Sequence, residues 1–414
     1  MTDLSVADVD LMEDTWSTAV PHEALTLLRR EAPVHWHELM GEKAPGFWAI
    51  TKYDDVRAIS RDTATFSSEE MGTFIADPTP EALAVIRLTL LNMDPPKHNR
   101  YRRLVNRGFT PRMIRQLHDQ IDERAVAIAD AVRERARSEG NADGFTFDFV
   151  ESVAMEMPAQ VICDMLGVPD ADRKMVVDWS NTMVGFDDPY WQNTPEAGEL
   201  AAMQIYAYCD ELSNERRKNP QDDILSVLLA ADVDGEALTQ DELNMFFVIL
   251  VVAGNETTRN LISHSVQALI DHPESVDRLH ADPGLWDSAV EEFLRWGTSI
   301  HNFRRTALVD TTVRGVDIKA GDKLVLYYAS ANYDEDVFAD PFTFDIARTP
   351  NDHLTFGGGG EHFCLGANLA RIEIKAMVRE VVNRLPGLTN AGKPTRMRSD
   401  FINGINHLPL HLPV

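Results

Sequence analysis

The stretch Phe356–Gly366, FGGGGEHFCLG, limits the fold more than any other part of the chain. Glycines at Gly357 to Gly360 let the backbone take positive φ and approach a neighbour or ligand closely. The residues behind them, ANLARIEIKAMVREVVNRL, place apolar side chains at helical spacing. Cys364 therefore lies where a glycine-rich loop enters a helix. That place is expected to lower a thiol pKa and to present free N–H groups to the sulfur. A single thiolate held this way suits a metal that needs one strong anionic ligand, and haem iron is the natural candidate. Zinc would require further ligands, and no second cysteine or C-x-x-C stands nearby. The plain alternative is an inert loop cysteine. The glycines, His362 and the following helix favour the ligand.

A second stretch asks for a long buried helix. Thr239 and Glu242 fit a capping box, and Pro273 marks the far end. The segment is apolar nearly all round from Phe246 to Ala253, as a core helix is. Within it stands Ala253-Gly254-Asn255-Glu256-Thr257-Thr258. Ala253 and Gly254 remove bulk, so a flat macrocycle and a small ligand can approach. Thr257, one turn on, shares their face.

Two weaker signals follow. Glu292-Phe293-Leu294-Arg295 has the spacing of a helical ion pair, which is common in isolation. From Pro95 to His118 there is no acid, and Lys97, Arg100, Arg102, Arg103, Arg107, Arg112 and Arg115 fall in this run. The reversal is marked in a chain of net charge −27, a charge that argues against nucleic acid and anionic membrane surfaces as partners. A solvated helix face is its simplest reading.

The ordered set AGNETT, E-x-x-R and FGGGGEHFCLG resembles the cytochrome P-450 monooxygenases, and the likeness runs from about residue 20 to the end. Most members have one residue fewer between the phenylalanine and the cysteine, and many have Asp where this chain has Glu256. The longer loop, AGNETTRN and GFTPR are similar to the bacterial group that oxidises steroid side chains and methyl-branched lipids. The resemblance implies a mainly α fold, a helical bundle with a smaller β-rich region. A single domain over 1–414 is expected, with 20–65 and 305–414 supplying the β-rich parts and 95–300 mostly helical.

The same resemblance implies haem b bound by Cys364 in a loop with Phe356 and Gly366. His98, Arg102, Arg305 and His362 would neutralise the propionates, and Ala253 and Gly254 would border the macrocycle. Thr257 would hold dioxygen and water by hydrogen bonds, Glu256 would relay protons from solvent, and the E-x-x-R pair would be structural. Met245, Ile249, Ala253, Ile300 and Phe303 would line an apolar substrate site. Met183, Phe186 and Trp191 fall in the family's lid region. Without a G-x-G-x-x-G after a strand or a flavin motif, electrons must come from a separate donor. An acidic ferredoxin with its NAD(P)H-dependent reductase is implied, docking on the basic run extended by Arg371 and Lys375. A steroid, terpenoid or branched lipid is the expected substrate. A peroxide-using peroxygenase and a non-catalytic haem-thiolate sensor are the alternatives, and the Glu256-Thr257 pair speaks against both.

Three cysteines make no disulfide framework, and Cys163 and Cys209 sit in apolar helical surroundings. The first thirty residues carry Asp3, Asp8, Asp10, Glu13 and Asp14 with no apolar core, and no long apolar run suggests a membrane span. A cytoplasmic, bacterial, monomeric protein is expected.

Overall fold

The computed structural model describes residues 4–39, 45–108, 111–184, 194–232 and 235–413, and 54% of it is helix, with small sheets. Eight helices build the site: α1 (Lys97–Val105), α2 (Pro111–Glu139), α3 (Glu156–Leu166), α4 (Arg173–Val184), α5 (Pro195–Lys218), α6 (Gln240–Asp271), α7 (Trp286–Gly297) and α8 (Ala367–Arg384). α6 starts where the capping box places it. The Thr239 hydroxyl accepts from the Glu242 N–H at 3.2 Å, and the Glu242 carboxylate accepts from the Thr239 N–H at 2.9 Å. His272 is the C-cap, just before Pro273.

α6 is packed by α3, α4, α5, α7 and α8. Its composition and length would serve a membrane span, but 61% of its most apolar window is buried inside the protein. Phe246, Phe247, Val251, Leu261 and Ile262 are among its buried residues. Each such side chain contributes about 1.5–3 kcal/mol by leaving water.

A five-stranded sheet carries another part of the site. Its strands are β1 (Val34–Glu38), β2 (Gly46–Ile50), β3 (Phe66–Ser67), β4 (Asn302–Ala307) and β5 (Lys323–Tyr327), in the order β1-β2-β5-β4-β3. Only the β2–β5 pair is parallel. β4 sets Arg305 opposite Leu324, in register with Phe303 opposite Leu326. The expected turn at Lys319–Gly321 leads into β5, and short strands follow at Ile405–His407 and Pro409–Leu412.

The E-x-x-R pair ties α7 to the segment that precedes the cysteine loop. Glu292 and Arg295 are fully buried, joined by two hydrogen bonds of 2.8 Å. Arg295 also donates to the carbonyls of Asn332 and Pro341, both at 2.9 Å, while Arg348 reaches Glu292 at 3.1 Å. Removing Glu292 would leave Arg295 buried without a counter-charge, a cost of about 3–5 kcal/mol. Cys163 and Cys209 are core residues, their thiols pushed by burial up to about 11 and about 12. Met183 packs against the main core from the end of α4, whereas Phe186 and Trp191 lie outside the described residues.

Candidate functional site

The cysteine loop is held by its own backbone. Gly357, Gly359 and Gly360 have φ of 95°, 87° and 79°, a region that other residues avoid. A Cβ on Gly358 would stand 2.9 Å from the Arg57 Cα, so the loop also needs glycine to lie against the 53–61 helix. The Cys364 N–H donates to the Phe356 carbonyl at 3.0 Å. Two residues on, Gly366 caps α8, and a side chain there would meet nothing within 4 Å.

Cys364 is accessible on one side although protein atoms surround it on the others. Its thiol pKa is raised, against the sequence expectation. Burial is the largest cause; the Gly366 N–H and the charges of Arg102 and Arg371 oppose it without prevailing. A bound metal cation is what would make this sulfur a thiolate, since a coordinating thiol is deprotonated outright.

One face of α6 is open. Met245, Ile249 and Thr257 are half-buried and Ala253 is exposed, at successive i+4 positions, while Phe246, Val248 and Val251 between them are buried. The Thr257 hydroxyl donates to the Ala253 carbonyl at 2.7 Å. Its lone pairs can accept a hydrogen bond from a neighbour on that face.

Two residues of this motif depart from expectation. Gly254 does not face the same way as Ala253: its missing side chain points at Ile162 of α3, where a Cβ would come within 3.0 Å. It serves close helix packing. Glu256 is buried in an ion pair with Arg259, and Asn260 donates to its carboxylate at 3.0 Å. Asn260 is itself fixed by the Ile405 N–H at 3.0 Å. So Glu256 has no exit to solvent in this arrangement and must exchange Arg259 for another partner before it can pass a proton.

Four basic side chains converge from three elements. His98 and Arg102 come from α1, Arg305 from β4 and His362 from the cysteine loop. The rings of His98 and His362 are 4.5 Å apart. Burial and the nearby Arg305, His98 and Arg102 hold His362 well below its usual pKa. Arg102 donates to the Phe363 carbonyl at 2.9 Å, and Arg305 to that of Arg304 at 2.8 Å. Yet His98 Nε2, His362 Nε2 and Arg305 Nε are buried with no partner among the described residues. Asp94 accepts from Ser67 and from the Ser68 N–H instead. The Arg305 Nε–H is a buried donor left over, and each imidazole would offer a second N–H on protonation; groups placed in this way ask for an anion. A flat group bearing two carboxylates, ligated by Cys364 and edged by Ala253, fits the set.

Phe303 on β4 stacks edgewise on Phe401 at 5.3 Å, and Ile300 bridges to Ile402. Phe401 in turn meets Phe74 at 4.9 Å, and Phe74 is exposed. Phe74 and Phe401 had no sequence signal. The basic run is less free than its composition implies. Arg100 pairs with Glu236 and Glu242, and Lys97 with Glu69. Arg371 and Lys375 do not extend a free patch, being paired with Glu291 at 2.6 Å and Asp287 at 2.6 Å. Arg103 and Arg107 remain exposed, and the side chains of Arg112 and Arg115 lie outside the described residues.

Comparison with known proteins decides the family. The cytochrome P-450 family model matches residues 15–283 and 284–401. The chain belongs to the cytochrome P-450 family. It is 42% identical to a steroid C26-monooxygenase of Rhodococcus jostii over 95% of this chain and 82% of that protein. It is 43% identical to a methyl-branched lipid omega-hydroxylase of Mycobacterium tuberculosis over 99% of this chain and 95% of the other. Among solved structures, a Mycobacterium marinum cytochrome P-450 in complex with pseudoionone matches with a TM-score of 0.89 and 37% identity, covering 98% of each chain. A Bacillus megaterium cytochrome P-450 in complex with testosterone matches at 0.82 and 33%, covering 95% of this chain and 100% of that one. The protein is therefore a cytochrome P-450 monooxygenase with haem b as its cofactor. When bound, the haem supplies the activation of dioxygen.

Proposed function

We propose that this cytochrome P-450 hydroxylates an elongated apolar substrate near a methyl-branched terminus, with Cys364 as the iron ligand and His98, Arg102, Arg305 and His362 on the propionates. The observation that carries the ligand assignment is the accessible Cys364 on the same loop as His362, whose Nε2, like His98 Nε2 and Arg305 Nε, is buried with no partner among the described residues. The substrate class rests on the apolar open face of α6, on the aromatic group Phe303, Phe401 and Phe74, and on what the relatives named above act on. Apolar walls with few polar groups select an apolar ligand. We read the chain as one domain working in the cytoplasm. Its electrons come from an acidic ferredoxin that meets the protein near Arg103 and Arg107.

Thr257 orders a water on the open face by accepting a hydrogen bond from it while its own O–H donates to the Ala253 carbonyl. Glu256 takes up protons once released from Arg259. The test is a spectral titration of the haem-loaded protein with sterols, branched fatty acids and terpenes. Sterols or branched lipids should bind tightly and be oxidised at the branched end. Tight binding restricted to small polar compounds would overturn the substrate class. Preference for a terpenoid of pseudoionone size would move the reading to that class. The ligand is tested apart from the substrate: Cys364→Ala should lose the thiolate-type Soret band of the reduced, carbon-monoxide-bound protein.

A further inference from the structure

Three side chains behind the cysteine loop form a connected group that the reading above does not use. Glu291, beside the E-x-x-R glutamate on α7, accepts two hydrogen bonds from Arg371 of α8, at 2.6 and 2.9 Å. The same carboxylate accepts from His353 Nε2 at 3.0 Å. The tautomer is fixed, because the Thr355 N–H donates to His353 Nδ1 at 3.3 Å and leaves the ring proton on Nε2. Arg371 and His353 together hold the carboxyl of Glu291 down to about 2 against the effect of burial, so Glu291 is always an anion.

Phe356 sits between the two partners of this carboxylate. The Arg371 guanidinium carbon stands 4.6 Å from the centre of its ring, and the His353 ring lies 5.9 Å from it. The carbonyl of Phe356 accepts the Cys364 N–H. One anchored guanidinium, on the helix that follows Cys364, thus lies against the ring of a residue bonded to the cysteine backbone. A hydrophobic contact alone would explain the stacking but not the bidentate clamp and the neutral histidine that hold the charge in place.

We propose that Arg371, clamped by Glu291 and His353, is a positioning residue that sets how strongly Cys364 donates to the haem iron and so raises the reduction potential of the bound haem. This rests on Cys364 being the ligand. Groups that surround a metal ligand and fix its charge environment tune the metal in this manner.

The experiment is a redox titration of the haem-loaded protein and its Arg371→Gln, Arg371→Lys and Glu291→Gln variants, each with a carbon-monoxide spectrum. Arg371→Gln should make the potential more negative, because a neighbouring positive charge is lost. Arg371→Lys should stay near the parent, because the charge is kept. Glu291→Gln releases the clamp, so the potential should move in the same direction as in Arg371→Gln although a negative charge is lost. Each tenfold change in the ratio of reduced to oxidised protein at a fixed potential corresponds to about 59 mV for one electron. Equal shifts in both Arg371 variants, or no shift in any variant, would overturn the proposal. If Arg371→Gln fails to retain haem, the sign in Glu291→Gln decides: a negative shift supports the proposal, and a zero or positive one, which loss of the carboxylate charge alone would give, overturns it. Loss of the thiolate-type band from the parent protein would instead defeat the ligand assignment, whatever the potentials.

Discussion

Thr257 and Glu256 are neighbours in sequence with opposite surroundings. Thr257 faces the open side of α6 with its O–H donated to the Ala253 carbonyl, and Glu256 is buried against Arg259 and Asn260. In Thr257→Ala the Ala253 carbonyl loses its donor and the face loses its acceptor, so water there is no longer ordered. Substrate should bind as before, while product per reduced nicotinamide consumed falls and free peroxide rises, because water on this face is no longer controlled. Unchanged coupling would show that the hydroxyl does not manage protons on this face. Glu256→Gln should slow turnover rather than divert it, and an unchanged solvent isotope effect would remove Glu256 from the proton path. The sequence made both residues visible through AGNETT but not their directions. Arg259 and Asn260 stand three and four residues after Glu256, at the end of the run TTRN. Whether the carboxylate turns to them or to solvent depends on Ile405, which fixes Asn260 from the far end of the chain. Helical spacing shows which residues can meet, and tertiary contacts choose.

Elements whose ends carry local signals were the most legible. The Thr239–Glu242 box, the glycine run before α8 and the turn into β5 each depend on residues within a few positions of one another. Phe74 and Phe401 were not legible, because they meet only through the sheet and two loops. The same holds for Glu373, which helical periodicity places on α8 without marking it as buried. It is 3% exposed, its Oε2 has no partner among the described residues, and burial raises its carboxyl to about 8. The unfolded chain would titrate near the ordinary value of about 4.3. A carboxyl raised on folding binds its proton more tightly in the native state. Stability therefore falls as pH rises from the unfolded pKa to the folded one, and is level outside that window. Glu373→Gln removes the titration. The variant should match the parent near pH 4 and exceed it increasingly up to pH 8, by ~4 kcal/mol at the top of the window. Thermal unfolding of both proteins across this range is the check. A difference independent of pH would mean that Glu373 is ionised in the folded protein.

At the scale of the whole molecule, charge decides how a second protein arrives. With a net charge of −27, the chain repels an acidic ferredoxin at long range. α1 and the residues after it oppose that, but most of their charge is already spent within the fold. Arg100 and Lys97 are paired, and Arg102 is turned inward to the Phe363 carbonyl. Arg103 and Arg107 are left exposed, close in sequence to the two residues of α1 assigned to the propionates. Salt separates the two effects by sign. If overall repulsion governs encounter, screening it should speed electron transfer. If the exposed arginines govern, screening should slow it, since at physiological salt only charges within roughly 8 Å still act. The docking assignment predicts a rate from an acidic ferredoxin that falls with ionic strength. In Arg103→Glu that rate should drop by about tenfold or more at low salt, within the span by which local charge alters association, and its dependence on salt should flatten or reverse. Substrate titration of the same variant should be unchanged, because Arg103 lies outside the distal face. A rate that rises with salt in the parent protein, or one indifferent to Arg103→Glu, would place the donor on another surface.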